Sequence, residues 1–387
     1  MPESPIRKLV PYAEKAKKNG IKVFHLNIGQ PDIETPYSAI EAVKNSNIKV
    51  LAYSKSEGDF ELRNKICDYY SKINIGINES QVIVTSGASE ALLFTIGSIM
   101  DPGDEIIIPE PFYANYNGFS VANGVNIIPI FSSIDNNFEL PKIQEFENLI
   151  SSNTKAILIC NPNNPTGYVY SYDEIKTLVE IVKKHNLFLI ADEVYREFTY
   201  DDVSHTSIMQ FDDIKQNAIA IDSVSKRYSM CGARIGCIIS KNSEFISTAM
   251  KFAQARLSPP TLAQIASTAA MDTGEDYFNK VINEYNDRRK TLVEGLNKIP
   301  GVKVSEPKGA FYCVVELPVN NSEHFAKWLL EEYSLNNETI MVAPAAGFYS
   351  TPNIGQNQVR IAYVLNQSDL KSCIDILKNG LMEYLKQ

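Results

Sequence analysis

The stretch "IAIDSVSKRYSMCGARIGCIIS", residues 219–240, places a lysine, Lys226, in what reads as a turn between two apolar strands. Two serines precede it, Ser223 and Ser225, and Arg234 follows. A solvated lysine needs no such setting, so the neighbouring segments decide what it is for. The run before the turn shows no polar alternation, which is how a strand covered on both faces reads. The same character recurs in "QVIVTSG" (81–87), "DEIIIPEP" (104–111), "VNIIPI" (125–130), "KAILIC" (155–160) and "LFLIA" (187–191). Helix-like segments lie between them: "ASEALLFTIGSIM" (88–100), "YANYNGFSVANG" (113–124) and "SYDEIKTLVEIVKKHN" (171–186). The last opens on a Ser–Asp/Glu capping signal and carries apolar residues at a 3–4 spacing. Apolar strands alternating with helices predict an α/β fold built on a mostly parallel sheet.

The C-terminal third has a different rhythm. After a long helical stretch (274–298), "GVKVSEPKGAFYCVVEL" (301–317) alternates as antiparallel strands do, followed by the helix "SEHFAKWLLEEY" and the strand "QVRIAYVL". A large domain over residues 44–288 is expected, with a smaller α+β domain assembled from 1–43 and 289–387.

Bulk properties exclude some functions. The 387-residue chain has 44% hydrophobic and 21% charged residues, ordinary for a globular protein. A net charge of −9 offers no basic excess to displace counterions from nucleic-acid phosphates. The six cysteines (67, 160, 231, 237, 313, 373) form no CxxC pair and histidines number four, so no metal site is expected. Thiols of this kind suit a reducing compartment. No apolar run approaches the ~18 residues of a membrane span. A cytoplasmic protein with small-molecule substrates, and with neither nucleic-acid nor membrane partners, is expected.

In open α/β sheets, ligands sit outside the carboxyl ends of the strands. The strand ends here carry unusual residues. Ser86-Gly87 leads into Ala88 and Ser89, small residues that let backbone N–H groups approach a phosphate, although a plain helix cap reads the same way. Asn161–Gly167, "NPNNPTG", is a tight polar turn. Asp192-Glu193-Val194-Tyr195 puts an acid at a strand mouth, where it either caps the next helix or meets a cation. Asp222-Ser223-Val224-Ser225-Lys226 adds hydroxyls and an amine. Together these ends offer a phosphate cradle, an amide, a carboxylate with a phenol, and an amine, and one ligand fits them all.

With those motifs in view, the chain resembles the fold-type I, pyridoxal-phosphate-dependent aminotransferases of class I/II, the aspartate aminotransferase-like family. The matching stretches are "LNIGQPDIETP", "YSKSEGDFELR", "TSGASEAL", "EPFYANY", "NPNNPTG", "ADEVY", "SVSKRYSMCGARIG" and "VRIAYV", in the family's order across residues 26–364. The resemblance implies a seven-stranded large-domain sheet and pyridoxal 5'-phosphate as cofactor. It implies that Lys226 forms a Schiff base with the cofactor and shuttles the Cα proton, and that Asp192 holds the ring N–H. Asn164 and Tyr195 would bond the ring oxygen, and Tyr113 would stack on the ring. Ala88, Ser89, Ser223, Ser225 and Arg234 would hold the phosphate. Tyr53 would reach the phosphate of a neighbouring subunit, so a homodimer with shared sites is implied. Arg360 would clamp the substrate α-carboxylate with a planar fork, assisted by Asn164 and Gly29.

The donor amino acid is less clearly written. Family members that read a distal carboxylate do so with an arginine that the partner subunit donates after a Pro-Pro turn, or with a lysine in the helix after the first strand. This chain has "LSPPTLAQIAS" (257–267) and Ser89 at those places. Arg256, Arg7 and Lys8 are the candidate substitutes. Aspartate or glutamate is the first expectation; an aromatic or broad neutral-amino-acid aminotransferase, or a carbon–sulfur lyase on the same scaffold, are the alternatives. A dinucleotide-dependent dehydrogenase is disfavoured because no GxGxxG follows a strand.

Overall fold

A computed structural model describes residues 3–387. The central feature is a seven-stranded sheet in the order Val82–Thr85, Gly236–Ile239, Ala218–Ser223, Phe188–Asp192, Thr154–Cys160, Glu105–Glu110, Asn126–Phe131. Its strands pair in parallel except Gly236–Ile239, which runs antiparallel to both neighbours. The reversal has a local cause. Between Ala218–Ser223 and Gly236–Ile239 the chain makes two short helical turns, Val224–Arg227 and Cys231–Ala233, and no crossover helix. Parallel return needs a full crossover, so the chain comes back antiparallel.

The lack of alternation in these strands is explained by cover on both faces. Ile157 and Ile159 of Thr154–Cys160 enter one core, whereas Ala156, Leu158 and Cys160 enter the other. Helix Tyr172–His185 starts where the capping signal placed it. The Glu174 N–H donates to Ser171 Oγ at 3.3 Å, and the Ser171 N–H donates to the Glu174 carboxylate at 2.8 Å.

Two smaller sheets complete the molecule. Ala343–Pro344, Gln358–Ala362, Tyr312–Glu316 and Lys303–Val304 form an antiparallel sheet of four strands. Lys22–His25 pairs in parallel with Glu338–Met341. That second pairing joins opposite ends of the sequence and carries no local signal. The helix Glu275–Leu296 packs on Gln367–Tyr384 and ties the ends together: Arg288 donates to Asp32 Oδ1 at 2.6 Å and to the Val364 carbonyl. No described helix is long and apolar enough to cross a membrane.

Candidate active site

The carboxyl ends of the large-sheet strands open into a cavity of about 620 Å³. Gly29, Ala88, Ser89, Tyr113, Asn164, Asp192, Tyr195, Ser223, Ser225, Lys226, Arg234 and Arg360 all line it. Of the cofactor and α-carboxylate residues that the resemblance implied, Tyr53 lies elsewhere and is 78% exposed.

Lys226 reaches the cavity because of the turn that carries it. Ser223 caps that turn: its Oγ accepts from the Ser225 N–H at 3.1 Å, donates to the Ile235 carbonyl at 2.8 Å and lies 2.8 Å from Ser225 Oγ. The next residue, Arg227, is buried on the opposite side, its Nη2 2.9 and 2.7 Å from the two Asp222 oxygens. With Arg227 anchored away, Lys226 projects inward, where Nζ donates to the Gly29 carbonyl at 2.8 Å. Cys231 Sγ is 3.6 Å from the same nitrogen.

Asp192 faces the amine's cavity with only 4% exposure. The Tyr116 hydroxyl donates to its Oδ2 at 2.8 Å and the Val194 N–H to Oδ1 at 3.4 Å. Burial pushes the carboxyl up to about 6, with the Tyr116 bond opposing the rise. No cation among the described residues pairs with it. A buried carboxylate without a cation is expensive.

The helix Ala88–Ile99 points its N-terminus at the cavity, and the Ala88 and Ser89 N–H groups donate to nothing among the described residues. Arg234, in a left-handed conformation (φ 55°), lies over that helix start, donating through Nη1 to the Cys231 carbonyl at 3.0 Å. Gly87 makes the approach possible, since a Cβ there would stand 2.2 Å from Arg234 Nη2. Free N–H groups, two serine hydroxyls and a guanidinium thus converge where an anion can sit.

At the opposite wall Arg360 is held between the rings of Tyr312, 4.5 Å from its guanidinium carbon, and Phe348, at 5.0 Å. Its Nη1 donates to Asn164 Oδ1 at 3.1 Å and Nη2 to the Asn27 carbonyl. Its Nε is buried with no partner among the described residues, and burial lowers the group from its ordinary value. A buried cation with an unused donor is completed by an anionic ligand.

Several residues that sequence reading passed over belong here. Tyr116 follows Tyr113 by one helical turn in "EPFYANY", so its placement beneath Asp192 was readable in principle. Asn115 donates through Nδ2 to the Tyr113 hydroxyl at 2.8 Å, and burial pushes that phenol up to about 12. The Tyr312 and Tyr195 hydroxyls stand 2.9 Å apart. Tyr312 also explains Gly29, where a Cβ would fall 1.6 Å from the Tyr312 hydroxyl. Of the three candidate substitutes for the missing distal reader, Lys8 pairs with Glu323, and Arg256 pairs with Glu90 at 2.7 Å. Arg7 alone lines the cavity. No group of acidic, cysteine or histidine side chains able to hold a metal is present among the described residues.

This arrangement is that of a family. The sequence profile of "Aminotransferase class I and II" matches residues 21–377, and the chain belongs to that family. It is 32% identical to an aspartate aminotransferase of Pyrococcus horikoshii over 98% of this chain and 94% of that protein. It is similar in structure to the aspartate aminotransferase of Thermus thermophilus solved with maleate, with a TM-score of 0.89, 25% identity, and 98% and 97% of the two chains covered. An alanine aminotransferase of Pyrococcus furiosus superposes with a TM-score of 0.90 at 29% identity, covering 98% of each chain. The fold is therefore the α/β aminotransferase architecture that the motifs implied.

Proposed function

We propose that this aminotransferase binds pyridoxal 5'-phosphate in the strand-end cavity and transfers the amino group of aspartate or glutamate to a 2-oxo acid by a ping-pong mechanism. The observation that carries the reading is that Lys226 and a buried carboxylate with no ion-pair partner, Asp192, line one cavity. The residues fit the cofactor. Asp192 lacks the cation that a pyridinium N–H would supply, and the unused N–H groups of Ala88 and Ser89 await an anion beside Ser223, Ser225 and Arg234.

When bound, the cofactor supplies a protonated ring that takes up the electron pair left on the substrate Cα. The protein's residues do the rest. Lys226 would hold the cofactor through Nζ, and its free amine would carry the proton from and to the substrate Cα. Asp192 keeps the ring nitrogen protonated, and Tyr116 orients Asp192. Asn164 and Tyr195 would hold the ring oxygen, and Tyr113 would cover the ring. Arg360, fixed by Asn164 and Asn27, would bind the α-carboxylate with help from the Gly29 backbone and so fix the substrate within reach of the lysine.

The aspartate aminotransferases of Pyrococcus horikoshii and Thermus thermophilus, the latter with a dicarboxylate bound, support an acidic donor. Ser89 and the alanine aminotransferase of Pyrococcus furiosus favour a neutral donor as the second reading. A single-donor experiment tests the reaction type. Given aspartate and no acceptor, the loaded enzyme is expected to release one equivalent of 2-oxo acid per site and stop. Continued release would mean lyase or decarboxylase chemistry and would overturn the reading.

The assembly belongs to the same proposal. Tyr37, Val50, Leu51, Tyr53 and Leu257 are between 51% and 78% exposed, an apolar surface that a second copy would cover. In that homodimer Tyr53 reaches the phosphate end of the neighbouring cavity. The large domain is taken as 44–288 and the small one as 1–43 with 289–387, which the separate sheets support. A cytoplasmic setting suits the six free cysteines.

A further inference from the structure

We propose that Arg7 reads the distal carboxylate of a dicarboxylic substrate, a role that rests on the aspartate/glutamate reading above. The cavity is lined by the cations Arg7, Lys226, Arg234 and Arg360 and by a single acid, Asp192. Three of those cations are claimed: Lys226 by the cofactor, Arg234 by its phosphate, Arg360 by the α-carboxylate. Arg7 remains. Its guanidinium makes no hydrogen bond or ion pair with any described residue, whereas Lys8 and Arg256 are held by Glu323 and Glu90. Arg7 and Tyr113 line the same cavity.

The backbone that presents Arg7 is anchored. Asn27, fully buried, donates through Nδ2 to the Ile6 carbonyl at 2.7 Å, and its own carbonyl accepts from Arg360. One asparagine therefore fixes the chain next to Arg7 and the α-carboxylate clamp together. On the other flank Pro5 lies so close to Gly347 that a Cβ there would come within 2.7 Å of it. Leu9 is buried at 3% exposure and Lys8 is held by Glu323, whereas Arg7 lines the cavity and stays open to solvent. A planar fork at this position can take both oxygens of a carboxylate. Neither Ser89 nor the segment after Pro259-Pro260 supplies that charge.

The test uses the full-length, cofactor-loaded enzyme as wild type, Arg7→Gln and Arg7→Lys. Its readout is the ratio of kcat/KM for aspartate over alanine, with succinate inhibition as a measurement independent of turnover. Loss of a hydrogen-bonded charge is expected to lower that ratio about 10- to 150-fold in Arg7→Gln, with a smaller loss in Arg7→Lys. The inhibition constant for succinate should rise in step, and that for propionate should not follow it. If the wild type favours aspartate but Arg7→Gln changes the ratio less than about threefold, the assignment of Arg7 fails and the donor reading stands. An equal loss on both donors also overturns it, as the mark of a structural role. If the wild type shows no preference for aspartate, both the donor reading and Arg7's role fall.

Discussion

Asp192 and Asp222 end adjacent parallel strands, are 4% and 2% exposed, and have opposite fates. Asp192 pairs in register with Ile221, so Asp222, one residue on, projects from the other face of the sheet. There Arg227 grips both oxygens, the Tyr70 hydroxyl donates at 3.2 Å, and Arg196 stands 4.0 Å away. Asp192 has a phenol and a backbone N–H, and no cation. The lesson is chemical. A buried carboxylate supplied with its own counter-ion is finished structure, whereas one left without a cation on the wall of a cavity suits the ring N–H of the proposed cofactor.

The comparison can be broken at four points. The largest effect belongs to Lys226→Ala, expected to lower transamination by roughly 10⁴-fold or more while circular dichroism shows the fold intact. Turnover within tenfold of the wild type would remove the amine from the reaction. Next, Arg227→Met strands Asp222 without its partner. Urea unfolding should show a loss of about 3–5 kcal/mol, the usual cost of breaking a buried pair. A loss under about 1 kcal/mol would mean that Asp222 is not the finished structure described.

Asp192→Asn is expected to reduce kcat/KM by about 10²- to 10³-fold, as removal of a preorganised charge does. It also carries a stability signature in the cofactor-free chain. Burial raises this carboxyl from 3.8 to about 6, so the native state holds the proton more tightly than the unfolded one. Its contribution is then fully present below about pH 4 and is lost as pH rises through 6, roughly 3 kcal/mol in all at 1.36 kcal/mol per pH unit. The difference in unfolding free energy between wild type and Asp192→Asn should follow that curve; a flat difference would contradict a cation-free Asp192. Smallest is Tyr116→Phe. Losing its bond to Oδ2 moves the Asp192 carboxyl further up, shifting the same curve to higher pH and lowering kcat/KM about tenfold. An unchanged curve would show that the phenol does not steady the acid.

Much of this site was legible along the chain because its parts lie where short segments turn. The capping serines and Lys226 share one turn, Asn164 sits in a Pro/Asn/Gly turn whose conformation is local, and Asp192 ends an apolar run. The antiparallel return of Gly236–Ile239 was less plain, since apolar runs carry no direction. Tyr312, Asn27 and the choice among Arg7, Lys8 and Arg256 were not readable. Each depends on contacts between residues far apart in the sequence, such as Arg360 between Tyr312 and Phe348.

The sequence by itself determined the alternation of buried strands and helices, the turns that end them, and the residue types collected at those ends. Hydrophobic period, capping chemistry and turn chemistry act over a few residues, so the chain records them locally. Only the tertiary structure decided which carboxylate met a cation, which of three basic side chains stayed unpaired, and how the N-terminal segment was pinned beside Arg360. Burial and pairing are properties of the space between segments, and that space exists only once the sheets and the two ends of the chain have come together.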